Sequence, residues 1–116
     1  MLTLLPSVRV SLAAGATDMR RSVDGLRALV LKSGMGDPYS GHLFVFRNRR
    51  GDRLKILVWD RSGFWVLYKR LEKGTFAWPE TSESGVMSIH AADLALLLSG
   101  VDLSRTKSRA WYQRAA

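Results

Sequence analysis

Three short glycine-bearing turns divide residues 42–78 into strand-length apolar runs, and this constrains the fold more than any other feature. The stretch reads "HLFVFRNRRGDRLKILVWDRSGFWVLYKRLEKGTFAW", with "NRRGD", "DRSG" and "EKG" as the connections. Connections this short join antiparallel neighbours, so the pattern predicts a β-meander with strands at residues 42–47, 53–59, 64–71 and 75–78. The turn "DRSG" also sets a register. If Asp60 and Gly63 close it, Trp59 pairs with Phe64, Leu57 with Val66, Lys55 with Tyr68 and Arg53 with Arg70.

Outside the meander, residues 8–12 alternate apolar and polar as a half-buried strand does, and a short strand is predicted around residues 87–89. Met19, Val23, Leu26 and Val30 recur at helical spacing, with Thr17 or Asp18 available as the cap. Gly25 lowers helix propensity by about 1 kcal/mol relative to alanine, which points to close packing there. "HAADLALLLSG" predicts a second helix that stops at Gly100. The fold class is therefore α+β: an antiparallel sheet of four to six strands with two helices. Residues 1–103 are read as one domain and residues 104–116 as a basic C-terminal tail in which Trp111 and Tyr112 interleave with the charge. Both faces of the meander carry large apolar groups. The sheet must be covered on both sides, curl toward a partial barrel, or bury one face in a partner; the two helices can cover one face.

Charge is the unusual global property. Eighteen Lys and Arg oppose ten Asp and Glu, a formal net charge of +8. Such a field favours nucleic acid, an anionic membrane or an acidic protein. Nine of the eighteen basic residues lie between Arg47 and Lys73. In a meander the first and third turns share one end of the sheet. Arg47, Arg49, Arg50, Arg53 and Lys55 would then stand about two strand spacings, roughly 10 Å, from Lys69, Arg70 and Lys73. These eight, with Tyr68 as a ring on which a base can stack, are the candidate nucleic-acid contacts. Arg53 opposite Arg70 is unfavourable unless an anion sits between them or both side chains splay into water.

Several chemistries have no residues to carry them. The absence of cysteine removes disulfides, thiol nucleophiles and cysteine-ligated zinc, and suits a reducing cytoplasm. His42 and His90 each begin an element, lack metal-ligand spacing, and read as hydrogen-bonding or capping residues. No carboxylates are spaced for acid–base work, and nothing calls for a cofactor. "RGD" at residues 50–52 is a hairpin turn rather than an adhesion signal, and "WD" at 59–60 occurs without a propeller repeat. No run approaches the length needed to span a membrane.

Three strings resemble a known family: "TDMRRSVDGL" at residues 17–26, "GHLFVFRNRRGDRLKILVWDRSGFWVLYKRLEKGTFAWP" at 41–79, and "LALLLSGVDL" at 94–103. They are similar to TnpB, the small accessory proteins of bacterial insertion sequences of the insertion-sequence-66 type. The likeness runs in order to about Leu103 and leaves the basic tail outside. Two departures, His90 where a threonine-like cap is usual and Val23 where an aromatic is usual, concern capping and packing. The resemblance implies a non-enzymatic role beside a larger transposase that carries the catalytic carboxylates. The expected function is therefore a cytoplasmic, nucleoid-associated transposition accessory protein contacting DNA through the basic cluster. Its expected partners are DNA and the transposase, with no membrane. The alternative is an interaction module that binds the transposase or its own copy, through the apolar sheet face or the tail, without touching DNA.

Overall fold

The computed structural model describes residues 7–79 and 86–100. Its elements are β1 (Arg9–Ala16), α1 (Val23–Ser33), β2 (Leu43–Arg47), β3 (Arg53–Trp59), β4 (Phe64–Arg70), β5 (Val86–His90) and α2 (Ala91–Leu98). The strands form one open sheet in the order β4-β3-β2-β1-β5. The α+β class and the helix count follow the sequence expectation, but the sheet is mixed rather than purely antiparallel. β1 and β2 run parallel, with Val10 beside Leu43 and Leu12 beside Val45. A parallel pair needs a long crossover, and residues 17–42, which contain α1, supply it. Alternation along a strand reports which face is buried and is silent about direction, so the pattern at residues 8–12 could not reveal this.

The meander contains three strands rather than four. Residues 75–78 alternate as a strand would, yet they lie across the sheet instead of joining its edge. Phe76 is buried in the core on the α2 side. The Phe76 amide donates to Gly51 O at 2.8 Å, and the Trp78 indole donates to Ala13 O at 3.1 Å. Their inward apolar side chains explain the strand-like spacing without any strand pairing.

The register read from "DRSG" is observed in full. Trp59 faces Phe64, Leu57 faces Val66, Lys55 faces Tyr68 and Arg53 faces Arg70. Asp60 accounts for it. Its carboxylate accepts from the Ser62 and Gly63 amides, and from the Trp65 indole, so the turn closes on one side chain.

Each face of the sheet carries one helix, rather than both helices sharing a face. On one face Leu26 and Val30 of α1 pack with Phe44, Phe46 and Leu57. On the other, Leu94 and Leu97 of α2 pack with Leu12, Val45, Leu54 and Ile56. Two apolar faces thus become two cores, and the sheet stays open rather than closing into a barrel. The first helix starts later than Thr17 or Asp18 would place it, with Ser22 at its N-cap position. Asp18 instead accepts from the Arg20 amide and its guanidinium, closing a separate turn. Gly25 meets the expectation of close packing: a Cβ there would stand 3.2 Å from the Arg21 side chain. Gly100 follows α2 at φ 74°, the left-handed conformation expected where the helix stops. The tail at residues 104–116 lies outside the described residues.

Candidate nucleic-acid interface

The turn between β2 and β3 is built by Asn48. Its carbonyl accepts from the Gly51 amide, its side-chain oxygen accepts from the Arg53 amide, and its side-chain nitrogen donates to Asp52 at 2.7 Å. Gly51 takes φ 76°, a conformation that residues with a Cβ rarely adopt, and this lets the strand resume. Arg49 and Arg50 occupy the central positions of the turn and are exposed. The Asn48 amide holds the Asp52 carboxyl below its ordinary range, and Arg50 and Arg53 act in the same direction.

The loop after β4 closes onto that turn. Leu71 N donates to Asp52 O and Phe76 N to Gly51 O, both at 2.8 Å. The two basic loops are therefore in direct hydrogen-bonded contact, closer than two strand spacings, because the chain after β4 folds back over residues 51–52 instead of adding a fourth strand beyond β4.

The nine candidate residues differ in how far the fold engages them. Arg49, Arg50, Arg53 and Lys73 are exposed, and their charged heads have no carboxylate partner among the described residues. Three others are held from within. The half-buried Arg47 guanidinium lies 5.5 Å from the Trp78 ring centroid and donates to Ala14 O at 3.4 Å. Lys55 Nζ donates to Arg21 O at 2.7 Å and lies 5.8 Å from the Tyr68 ring centroid. Lys69 Nζ donates to Leu98 O at 2.7 Å, meeting a terminal carbonyl of α2 where the helix dipole is negative.

Arg70 is intermediate. It stands directly opposite Arg53 and its Nε donates to Glu72 at 3.3 Å, so one of the two like charges has an internal counter-charge. Tyr68 is 53% exposed on the same face as Arg53, Lys55 and Arg70, which leaves its ring open to a stacking partner.

Two contributors were not legible as site residues. The Lys55–Arg21 bond brings the turn before α1 to the edge of the cluster, and adds the exposed Arg21 to it. Arg21 lies in this turn because α1 begins only at Val23, with Ser22 at its N-cap position. Asn48 was visible merely as a turn residue, of the type whose side chain bonds nearby backbone. Of the histidines, His42 Nδ1 accepts from the Arg9 amide at 2.9 Å, tying β2 to β1. His90 sits at the N-cap position of α2. Among the described residues no three His, Asp or Glu side chains stand close enough to hold a metal ion, and no helix is long and apolar enough to cross a membrane.

The fold and this surface together define a small basic α+β domain whose open cations are collected at one end of a mixed sheet. The chain belongs to the family of IS66 Orf2-like proteins, whose profile matches residues 8–108. That membership associates it with insertion-sequence transposition in an accessory role. Two proteins of Sinorhizobium fredii (strain NBRC 101917 / NGR234) are similar over 102 residues each. Uncharacterized protein y4jC is 38% identical, covering 88% of this chain and 86% of its own. Uncharacterized protein y4hO is 43% identical, covering 85% and 88%. No solved structure matches.

Proposed function

We propose that this protein is a non-enzymatic accessory factor that contacts DNA phosphates through the end of the sheet bearing Arg49, Arg50, Arg53, Arg70 and Lys73. The observation that carries the reading is the bracing of the two basic loops. Asn48 braces the first loop and the Gly51 and Asp52 carbonyls hold the second to it, so Arg49, Arg50, Arg53 and Lys73 project from a fixed base with no carboxylate partner among the described residues. Backbone contacts of this kind give affinity and register but no direct sequence readout. Tyr68 supplies a ring for an unpaired base beside that cluster, as at a nicked or melted element end. Arg47, Lys55 and Lys69 support the surface through their backbone bonds, and their charge adds to its field.

The test is binding of the protein to element-end and random duplexes over a salt series. Several phosphate contacts require log affinity to fall with log salt at about −0.9 per contact. Failure to bind either duplex at low salt overturns the reading. A second reading, an interaction module for the transposase, is favoured by an apolar groove of about 440 Å³ between α2 and strands β3 and β4, lined by Leu54, Ile56, Leu67, Leu94 and Leu98. Copurification with the transposase that survives nuclease treatment, without DNA binding by the accessory protein, would select it.

A further inference from the structure

We propose that two copies of this chain associate through β4, pairing antiparallel about Leu67. β4 is the outer strand of the sheet and, among the described residues, pairs only with β3. It runs seven residues in continuous register, without a bulge or a proline. Such edges are ordinarily shortened, bulged or covered. The opposite edge, β5, is five residues long and passes directly into α2.

The free hydrogen-bonding groups can be assigned by parity. The Asp60 amide donates to Gly63 O and the Leu71 amide to Asp52 O, one backbone bond at each end of the β3–β4 pair. Alternation between these ends turns the amides of Trp65, Leu67 and Lys69 toward β3, and those of Phe64, Val66, Tyr68 and Arg70 outward. Pairing about Leu67 then matches Val66 with Tyr68 of the second copy and Phe64 with Arg70, and every outward group finds a partner. Trp65 falls opposite Lys69, and Leu67 opposite itself, at the wide positions where side chains approach most closely.

This register is complementary in charge. β4 carries its two cations, Lys69 and Arg70, at one end and its aromatic pair, Phe64 and Trp65, at the other. Antiparallel pairing places each cation against a ring, whereas parallel pairing stacks like charges. It also sends the basic ends of two molecules, each carrying +8, in opposite directions. Trp65 is 57% exposed, and the apolar groove beside Leu67 opens on the same face, so self-pairing would join the grooves of the two copies.

The test needs no DNA, so it stands or falls separately from the nucleic-acid reading. Sedimentation of the full chain over a concentration series is expected to show a monomer–dimer equilibrium. Trp65→Lys places lysine opposite lysine and should weaken the dimer by about tenfold or more, while Trp65→Lys with Lys69→Glu should restore it. Val66→Pro removes an outward amide without touching the bonds to β3 and should abolish dimerisation. Should that proline variant fail to fold, the charge pair decides. A chain that stays monomeric throughout overturns the proposal, as does one that dimerises only after truncation at Gly100, which would mean the C-terminal residues take this edge. A dimer indifferent to Trp65→Lys also overturns it.

Discussion

The two hairpin turns that bound β3 use acidic side chains in opposite ways. At residues 60–63 the Asp60 carboxylate accepts from Ser62, Gly63 and Trp65, so the charge is absorbed by the turn. Tyr39, Trp59 and Phe64 form an aromatic cluster beside it, with ring centroids 5.0–5.2 Å apart. At residues 48–52 a neutral amide performs the bracing, and Asp52 is held by Asn48 rather than by an arginine. The arginines there are left over from the architecture. One turn spends its charge on closing itself, and the other keeps its charge facing water. The proposed DNA-contacting surface is therefore marked less by how many cations it has than by how few of them the fold consumes.

That contrast breaks if the engaged and open cations behave alike. The largest effect is expected in DNA binding. Arg49→Ala with Arg50→Ala should make the dependence of log affinity on log salt shallower by about two, with the urea midpoint unchanged. Replacing Lys55 and Lys69 by methionine should do the reverse, lowering stability while altering the slope less. Equal slopes for the two double variants, measured by fluorescence anisotropy, would erase the distinction.

Stability sharpens the same division. Asn48→Ala removes both the acceptor for the Arg53 amide and the donor to Asp52, and should destabilise by about 1–2 kcal/mol in urea titrations. Lys69→Met leaves the Leu98 carbonyl to water at an exposed site, and should cost only about 0.5–1 kcal/mol. Lys73→Met, a change of an open cation, should fall within about 0.5 kcal/mol of the parent protein.

Local chemistry explains which parts of this surface were legible. A four-residue turn closed by Asp60 fixes a register by geometry alone, so every pair from Trp59–Phe64 to Arg53–Arg70 followed from the sequence. The direction of β1 and the path of residues 75–78 depend instead on long-range packing: the crossover through α1, and the burial of Phe76 and Trp78 against distant strands. Periodicity carries neither. The gathering of basic residues at one end was likewise readable, because turn order dictates it. Their division was not. Whether a lysine reaches water or a carbonyl is decided by residues 29 and 34 positions away, Leu98 for Lys69 and Arg21 for Lys55, and no local pattern records those contacts.

The smallest effect concerns acid stability and compares the aspartates once more. Asp18 is lowered from 3.8 to about 2, chiefly by the hydrogen bonds from the Arg20 side chain. Asp60 is lowered by the Trp65 indole first, and Asp52 by the Asn48 amide first. A carboxyl depressed in the folded state binds its proton more readily once unfolded. Its contribution is therefore complete above the unfolded value near 3.8 and is lost as pH falls through the folded value. For Asp18 the window runs from 3.8 down to about 2. Its partner Arg20 has a side chain 91% exposed, so screening keeps the contribution small. Asp18→Asn should therefore flatten the acid limb of a urea-midpoint-against-pH curve only slightly. Asp60→Asn should flatten it in the same direction, because the Asp60 carboxyl is also held down, by the Trp65 indole and by the Ser62 and Gly63 amides. If Asp18→Asn instead steepened the acid limb, the Asp18 carboxyl would not be depressed in the folded state and its pairing with Arg20 would not hold in solution.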